Sequence, residues 1–328
     1  MTGYIIGAVI LLLLLVLVFG THFFLKIAFF RYTSRKEKKK KSVWVRLEEK
    51  GGEVNVKDLF VEARPWIEEI KVGKAYLASA EKKVYETTSY DGLKLRARLF
   101  PAENMRAIVI MVHGFRSNPV HDFSLAVMEF NKMGLSCLLP DQRSTGESEG
   151  KYICYGRKEK YDIRDWARLM EKEYPGVPVI LDGVSMGCST VLLASGLDLP
   201  ETVKGIIADC GYTTPYEMFE RVLRDTFKLP KFPFFYTASL ASKLFLGFDF
   251  KGESTVDALK KNRLPVLFAH GEADTLVPHY MSVTNWEAAK DTCDAVFFSV
   301  PKAGHGLSYL VDREGYIKLI EELLEKIL

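Results

Sequence analysis

The chain has 328 residues, 48% of them hydrophobic, and its 45 basic and 42 acidic residues leave a formal charge of +3. That length and apolar content suit one large folded core with a short appendage and exclude a low-complexity or disordered chain. The five cysteines, Cys137, Cys154, Cys188, Cys210 and Cys293, are odd in number and form no C-x-x-C pair, which argues against a disulfide framework or a zinc site.

The first segment stands apart. From Thr2 to Leu25 there is no Asp, Glu, Lys or Arg, and Tyr4–Phe24 is 21 residues long. As a helix at about 1.5 Å per residue it covers roughly 30 Å, the hydrocarbon thickness of a bilayer. The start lacks the positive charge of a signal peptide, and Gly20-Thr21-His22-Phe23-Phe24 is a poor cleavage site, so a retained transmembrane helix over residues 1–30 is expected. Arg31, Arg35, Lys36, Lys38, Lys39, Lys40, Lys41 and Arg46 come next, broken only by Glu37. Without Lys26, these eight cations and Glu37, 36 basic residues face 41 acidic ones. The positive charge is therefore a local juxtamembrane feature and points to anionic lipid and a cytoplasmic-facing domain, with no nucleic-acid partner. Residues 31–82 read as a basic linker and an N-terminal extension whose helices could tether or buttress the catalytic domain.

From Lys83 onward, strand-like and helix-like runs alternate, the pattern of βα units around a parallel sheet. Strand-like runs fall at Lys83–Thr88, Leu93–Leu99, Ala107–Val112, Leu135–Leu139, Pro178–Leu181, Pro265–Ala269 and Ala295–Val300. Helical periodicity falls at Lys158–Tyr174, Pro215–Thr226, His279–Lys290 and Asp312–Leu328. His113-Gly114-Phe115-Arg116-Ser117 comes after the third strand-like run. There the backbone N–H of Phe115, in a turn that Gly114 allows, is a candidate oxyanion donor.

Gly183-Val184-Ser185-Met186-Gly187 comes after the fifth run and precedes a segment that can be helical. G-x-S-x-G in that setting is a nucleophile elbow: flanking glycines admit close backbone, Ser185 is the nucleophile, and the Met186 N–H is the second oxyanion donor. A serine hydroxyl needs a base, and the base needs an orienting acid. Of the six histidines, His22 lies in the apolar segment, and His113 and His121 precede the serine. His113 reads as orienting the oxyanion loop, and His270 and His279 as shaping the loop around Asp274. His305, in Gly304-His305-Gly306 after the last strand, is the base, and Asp274, in Gly271-Glu272-Ala273-Asp274, is the acid. Glu272 and Asp209 are the rival acids. The chain order Ser185, Asp274, His305 is that of one fold among the three that converged on this chemistry.

These residues, together with Asp141-Gln142-Arg143-Ser144-Thr145-Gly146-Glu147-Ser148, resemble the α/β-hydrolase superfamily from about Val84 to the C-terminus. Within it, the chain is similar to bacterial serine hydrolases of the S33-peptidase-like and lysophospholipase-like type. The family pattern D-x-R-G-x-G-x-S has Ser144 here in place of its first glycine. The resemblance implies an α/β-hydrolase fold over residues 83–328, with a mostly parallel central sheet, helices on both faces and a helical cap at about 212–255.

The expected activity is a membrane-anchored serine esterase acting on a small-molecule acyl ester, with no cofactor and no metal. The alternatives are a serine aminopeptidase or peptidase of the same fold, or a non-catalytic binding protein built on it. Eight of the 24 residues from Phe227 to Phe250 are aromatic. They form either the packed core of the cap or an apolar wall for the acyl chain.

Overall fold

In a computed structural model of the full chain, residues 1–30, 42–50, 61–225, 228, 230–249 and 251–328 are described. The cluster from Arg31 to Lys41, and Phe227 and Phe250 of the cap, lie outside those residues.

Eight strands form one sheet in the order β1-β2-β4-β3-β5-β6-β7-β8: β1 (Lys83–Thr88), β2 (Lys94–Phe100), β3 (Ala107–Val112), β4 (Leu135–Asp141), β5 (Val179–Val184), β6 (Val203–Asp209), β7 (Val266–Gly271) and β8 (Ala295–Val300). β1 and β2, and β2 and β4, pair antiparallel; every other neighbour is parallel. The central strands are continuous apolar runs because helices bury both faces; every residue of β3 is buried.

One face carries α5 (Glu159–Glu173), α6 (Met186–Ala194), α9 (Thr255–Leu259) and α10 (His279–Ala289), around a core of Trp166, Met170, Leu192 and Phe268. The other carries α4 (Pro119–Lys132) and, after the short α11 (Ser308–Val311), α12 (Arg313–Ile327), around Phe123, Phe130, Ile320 and Leu324. The sequence reading passed over α4. Its start is nonetheless encoded: the Asn118 side chain accepts the His121 N–H at 3.0 Å, and Pro119 fills the first helical position.

The extension before β1 is built into the domain. In α2 (Val43–Lys50), Trp44 is fully buried in the second core, donates from Nε1 to Asp141 Oδ1 at 3.2 Å and lies under the Arg98 guanidinium. A 3-10 turn (Val61–Trp66) leads into α3 (Ile67–Ser79), which lies on α4 so closely that a Cβ on Gly73 would stand 2.7 Å from the Leu125 nitrogen.

The cap contains α7 (Pro215–Asp225), α8 (Phe234–Ala241) and a π-turn (Ser242–Leu246). Its core gathers Tyr155, Tyr212, Phe219, Phe235, Leu246 and Phe248, and into it the N-terminal helix α1 (Thr2–Ala28) delivers Ala28 and Phe29. The Ala28 carbonyl accepts the Tyr155 hydroxyl at 2.7 Å, and Phe29 O accepts the Ile153 N–H at 2.7 Å. Upstream, Tyr4–Phe23 is a 20-residue apolar stretch of mean hydropathy 2.8, long and apolar enough to cross a membrane.

Candidate active site

Ser185 sits between β5 and α6 with φ 58° and ψ −117°, a region that non-glycine residues avoid. The strain is held in place by packing. A Cβ at Gly187 would run into the Val112 carbonyl oxygen, and one at Gly183 into the Gly187 oxygen. Both flanking glycines are therefore steric requirements. The turn lifts the Ser185 hydroxyl to the C-terminal edge of the sheet, where His305, five residues past β8, meets it.

His305 Nε2 lies 2.9 Å from Ser185 Oγ, and His305 Nδ1 lies 2.7 Å from Asp274 Oδ2. A carboxylate facing Nδ1 assigns the proton to that nitrogen and leaves Nε2 a lone pair for the serine hydroxyl. Asp274 is fixed in turn: its Oδ1 accepts the Leu276 and Val277 N–H groups at 2.8 and 2.9 Å. Burial alone would raise the Asp274 pKa; hydrogen bonds from His270 and His305 overcome it and hold the carboxyl well below its ordinary value. An ionised, oriented acid is thus in place behind the ring.

His270 stands on the far side of Asp274. Its Nε2 faces two acceptors, Asp274 Oδ2 at 3.1 Å and Val277 O at 2.9 Å, and its Nδ1 meets Ser282 Oγ at 2.7 Å. It clamps the loop and has no path to Ser185. His279, half-buried, is hydrogen-bonded to Ser299 at 2.9 Å. Glu272 is exposed and accepts from Ser299 Oγ at 2.8 Å. Asp209 is bonded to Ser308 Oγ at 3.0 Å, while its backbone carbonyl accepts the Ser185 N–H. Neither rival acid is hydrogen-bonded to His305.

The opposite wall is the loop after β3. His113 is completely buried, with Nδ1 2.9 Å from Gly114 O and Nε2 3.3 Å from the Gln142 N–H that donates to it, so it braces the loop. Among the described residues no acceptor takes the N–H of Phe115 or of Met186, the first residue of α6. Both loops border one cavity of about 190 Å³ that includes Ser185 and His305 in its lining.

Asp122 is the site residue that sequence reading missed. Its Oδ2 accepts the Gly114 N–H at 2.8 Å, and its Oδ1 accepts from Ser117 Oγ at 2.5 Å and meets His121 Nδ1 at 2.9 Å. It ties α4 to the oxyanion loop. Its only sequence signal is an acid in the first turn of a helix, which is too common to single out.

The cavity runs away from the cap. Its apolar lining comes from Ala63 and Ile70 of the extension, Phe123 and Leu125 of α4, and Leu307 and Leu310 after His305. None of the described residues between 227 and 250 lines it. Phe235 and Phe248 are buried in the cap core, whereas Phe232, Tyr236 and Phe245 are exposed. The aromatic segment therefore supplies no described residue of an acyl wall, and its inner members are packing.

Cys210 Sγ lies within 4.8 Å of ligand atoms of Asp274 and His305. Burial raises that thiol pKa well above its ordinary value, so it presents a neutral thiol and not the thiolate a soft metal needs.

An eight-stranded, mostly parallel sheet with a serine on a strand-to-helix elbow is the layout of one known fold. Residues 103–245 match the family described as serine aminopeptidase, S33. An esterase of Pyrococcus furiosus superposes with a TM-score of 0.63 over 76% of this chain and 92% of its own, at 24% identity. The chain has the α/β-hydrolase fold. The same fold serves other activities: an acylaminoacyl peptidase of Pyrococcus horikoshii aligns at a TM-score of 0.56 and 17% identity, over 76% of this chain and 42% of its own. In sequence, the uncharacterized protein YqkD of Bacillus subtilis is 28% identical over 247 residues, 75% of this chain and 80% of that one. The thiohydrolase aneE of Aspergillus aculeatus is 35% identical over 138 residues, 40% of this chain and 42% of that protein.

Proposed function

We propose that this α/β-hydrolase is a serine esterase that cleaves acyl esters through a covalent acyl-enzyme, carried on a membrane by α1. The observation that carries the reading is the hydrogen-bonded chain Ser185–His305–Asp274, with the N–H groups of Phe115 and Met186 open beside it.

In the reaction, Ser185 Oγ attacks the ester carbonyl carbon as its proton passes to His305 Nε2. Asp274 stabilises the imidazolium that results. The carbonyl oxygen takes the negative charge and lies against the Phe115 and Met186 N–H groups; losing one such donor costs about 3–4 kcal/mol. As the carbon–oxygen bond to the alcohol breaks, His305 gives the proton to the leaving alkoxide. A water, deprotonated by the same nitrogen, then attacks the acyl-serine and releases the carboxylic acid. A thioester would pass through the same steps with a thiolate leaving.

The cavity chemistry supports a neutral acyl group. An aminopeptidase must hold the substrate's α-ammonium with an ionised, available carboxylate. Both Asp122 oxygens are already taken by Gly114, Ser117 and His121. Burial, aided by Asp209, drives the Asp182 pKa well above its ordinary value, and burial pushes Asp209 up to about 6. Ala63, Ile70, Phe123, Leu125, Leu307 and Leu310 give the wall an apolar stretch that suits an acyl chain. Catalytic efficiency on p-nitrophenyl esters is expected to rise from acetyl to medium chains and to exceed that on aminoacyl amides. A preference for aminoacyl amides would replace this reading by the peptidase one, and inertness towards esters, thioesters and amides alike would favour a binding protein.

The cations that come after α1 in the sequence, Arg31 to Arg46, support an orientation with the hydrolase on the cytoplasmic side of a single span.

A further inference from the structure

Among its described side chains, the half-buried and buried positions of α1 run Leu17, Gly20, Thr21, Leu25, Ala28, a single helical stripe. The cap helix α8 lies against the middle of that stripe. Thr21 Oγ1 and Thr237 Oγ1 are 2.7 Å apart, and a Cβ on Gly20 would run into the Phe234 ring at 2.5 Å. Both contacts fall inside the apolar stretch that ends at Phe23. Gly20 and Thr21 are three and two residues from that end, about 3–5 Å of helix rise inside it. If Tyr4–Phe23 spans a bilayer, as the proposed function holds, α8 cannot stay in water: its partner residues are at hydrocarbon depth.

The composition of α8 and the π-turn fits that depth. Their inner face, Phe235, Ala238, Ala241 and Leu246, is buried in the cap core. The outer face is apolar too: Tyr236, Leu240 and Leu244 succeed one another every four residues, flanked by Phe232 at 74% and Phe245 at 75% exposure. A helix apolar on all sides is stable only with apolar surroundings on all sides. Lys243 is the charged residue of the turn; it reaches Asp249 at 3.3 Å, and its long stem lets the ammonium stay at a polar boundary.

We infer that Phe234–Leu246 is a second membrane element: an in-plane helix whose outer face lies in the same leaflet as the C-terminal end of α1, so that the cap is seated in the lipid and not merely tethered to it. The Gly20 and Thr21 contacts put α8 at the shallow end of the usual immersion of interfacial helices, about 5–10 Å. The inference rests on α1 as a span but not on the esterase chemistry, so failure of the ester assays leaves it untouched.

Tryptophan quenching by brominated lipid in vesicles of phosphatidylcholine and phosphatidylglycerol tests it on the full chain. Phe245→Trp, with Leu240→Trp as a second reporter should the first not fold, is compared with Asp198→Trp, in the turn leading to the start of β6 at the opposite edge of the sheet. After subtraction of the parent protein's emission, the residue at 245 or 240 should be blue-shifted. Bromines near the headgroup end of the acyl chain should quench it more than bromines near the methyl end, and the residue at 198 should be unaffected. Absence of quenching in a chain that resists carbonate extraction overturns the in-plane helix and leaves the anchor standing. A blue shift without quenching overturns it in favour of a protein partner. A chain that carbonate removes overturns the span and this inference together.

Discussion

Gly187 has the least room of any residue at the elbow, and it shows how the strain at Ser185 is maintained. An added methyl would collide with the Val112 carbonyl on the neighbouring strand, which cannot retreat without breaking the β3–β5 ladder. Gly187→Ala should therefore yield little folded protein, judged by soluble expression and a cooperative melt. Asp274→Asn is different in kind. The amide keeps the shape but no longer holds His305 in the working tautomer, and kcat should fall about 10⁴-fold while the melting temperature stays close to the parent's. Asp209 supplies a pH signature independent of activity. Its pKa is about 6 in the folded chain against 3.8 ordinarily, because burial disfavours the charge. The folded state thus holds the proton to higher pH than the unfolded one, and this group's contribution to stability declines as pH rises from about 4 to 6. At neutral pH the cost is about 3 kcal/mol. Asp209→Asn, which can still accept from Ser308, should match the parent near pH 4 and become the more stable of the two above pH 6. Equal pH slopes for the two proteins in urea unfolding would refute that assignment. The order of Ser185, Asp274 and His305 was legible in the sequence because each comes after a strand-like run. Asp122 was not, because its partners Gly114 and Ser117 are brought to it only when α4 folds back on the loop.

At the scale of elements, the extension before β1 does more than connect. Trp44 is buried against Phe100 and bonded to Asp141, in the loop segment that sequence reading singled out for its Ser144. Ser144 does occupy a left-handed conformation, φ 66°, of the kind glycine usually fills, and its Oγ donates to the Tyr152 carbonyl at 2.7 Å. Trp44→Ala should cost about 3–5 kcal/mol in chemical denaturation, a loss no mere linker residue would produce. Ala63 and Ile70 roof the cavity beside Ser185, so Ile70→Trp should lower efficiency on medium-chain esters several-fold while leaving acetyl esters nearly unchanged; a uniform loss across chain lengths would place the acyl group elsewhere. Seven of the eight strands and the four helices read from periodicity were legible, since core strands and amphipathic helices have distinct apolar patterns. The role of the extension was not: the large side chains buried between Ser42 and Glu81, Trp44 and Leu47 in α2 and Ile70 and Leu77 in α3, come only two to a helix, too few to stand out as a period. Nor could the richness in aromatics from 227 to 250 be assigned by composition, because inward Phe235 and outward Phe245 look alike in a sequence.

At the scale of the whole molecule, α1 ends inside the hydrolase domain. Phe29 is wholly buried among Tyr155, Phe219 and Phe248, and the Arg116 side chain in the loop after β3 donates to the Phe30 carbonyl at 3.4 Å. The end of α1 is thus packed against the elements that frame Ser185. With the sequence's cations on its C-terminal side, protease added to intact cells should leave the domain uncut, whereas inside-out vesicles should expose it. The central claim, nucleophilic catalysis by Ser185, is tested most directly by peptide mass spectrometry after reaction with a fluorophosphonate. The account predicts one adduct, on the peptide containing Ser185, absent in Ser185→Ala and His305→Ala along with ester turnover. An adduct at another residue, or undiminished turnover in Ser185→Ala, would contradict it.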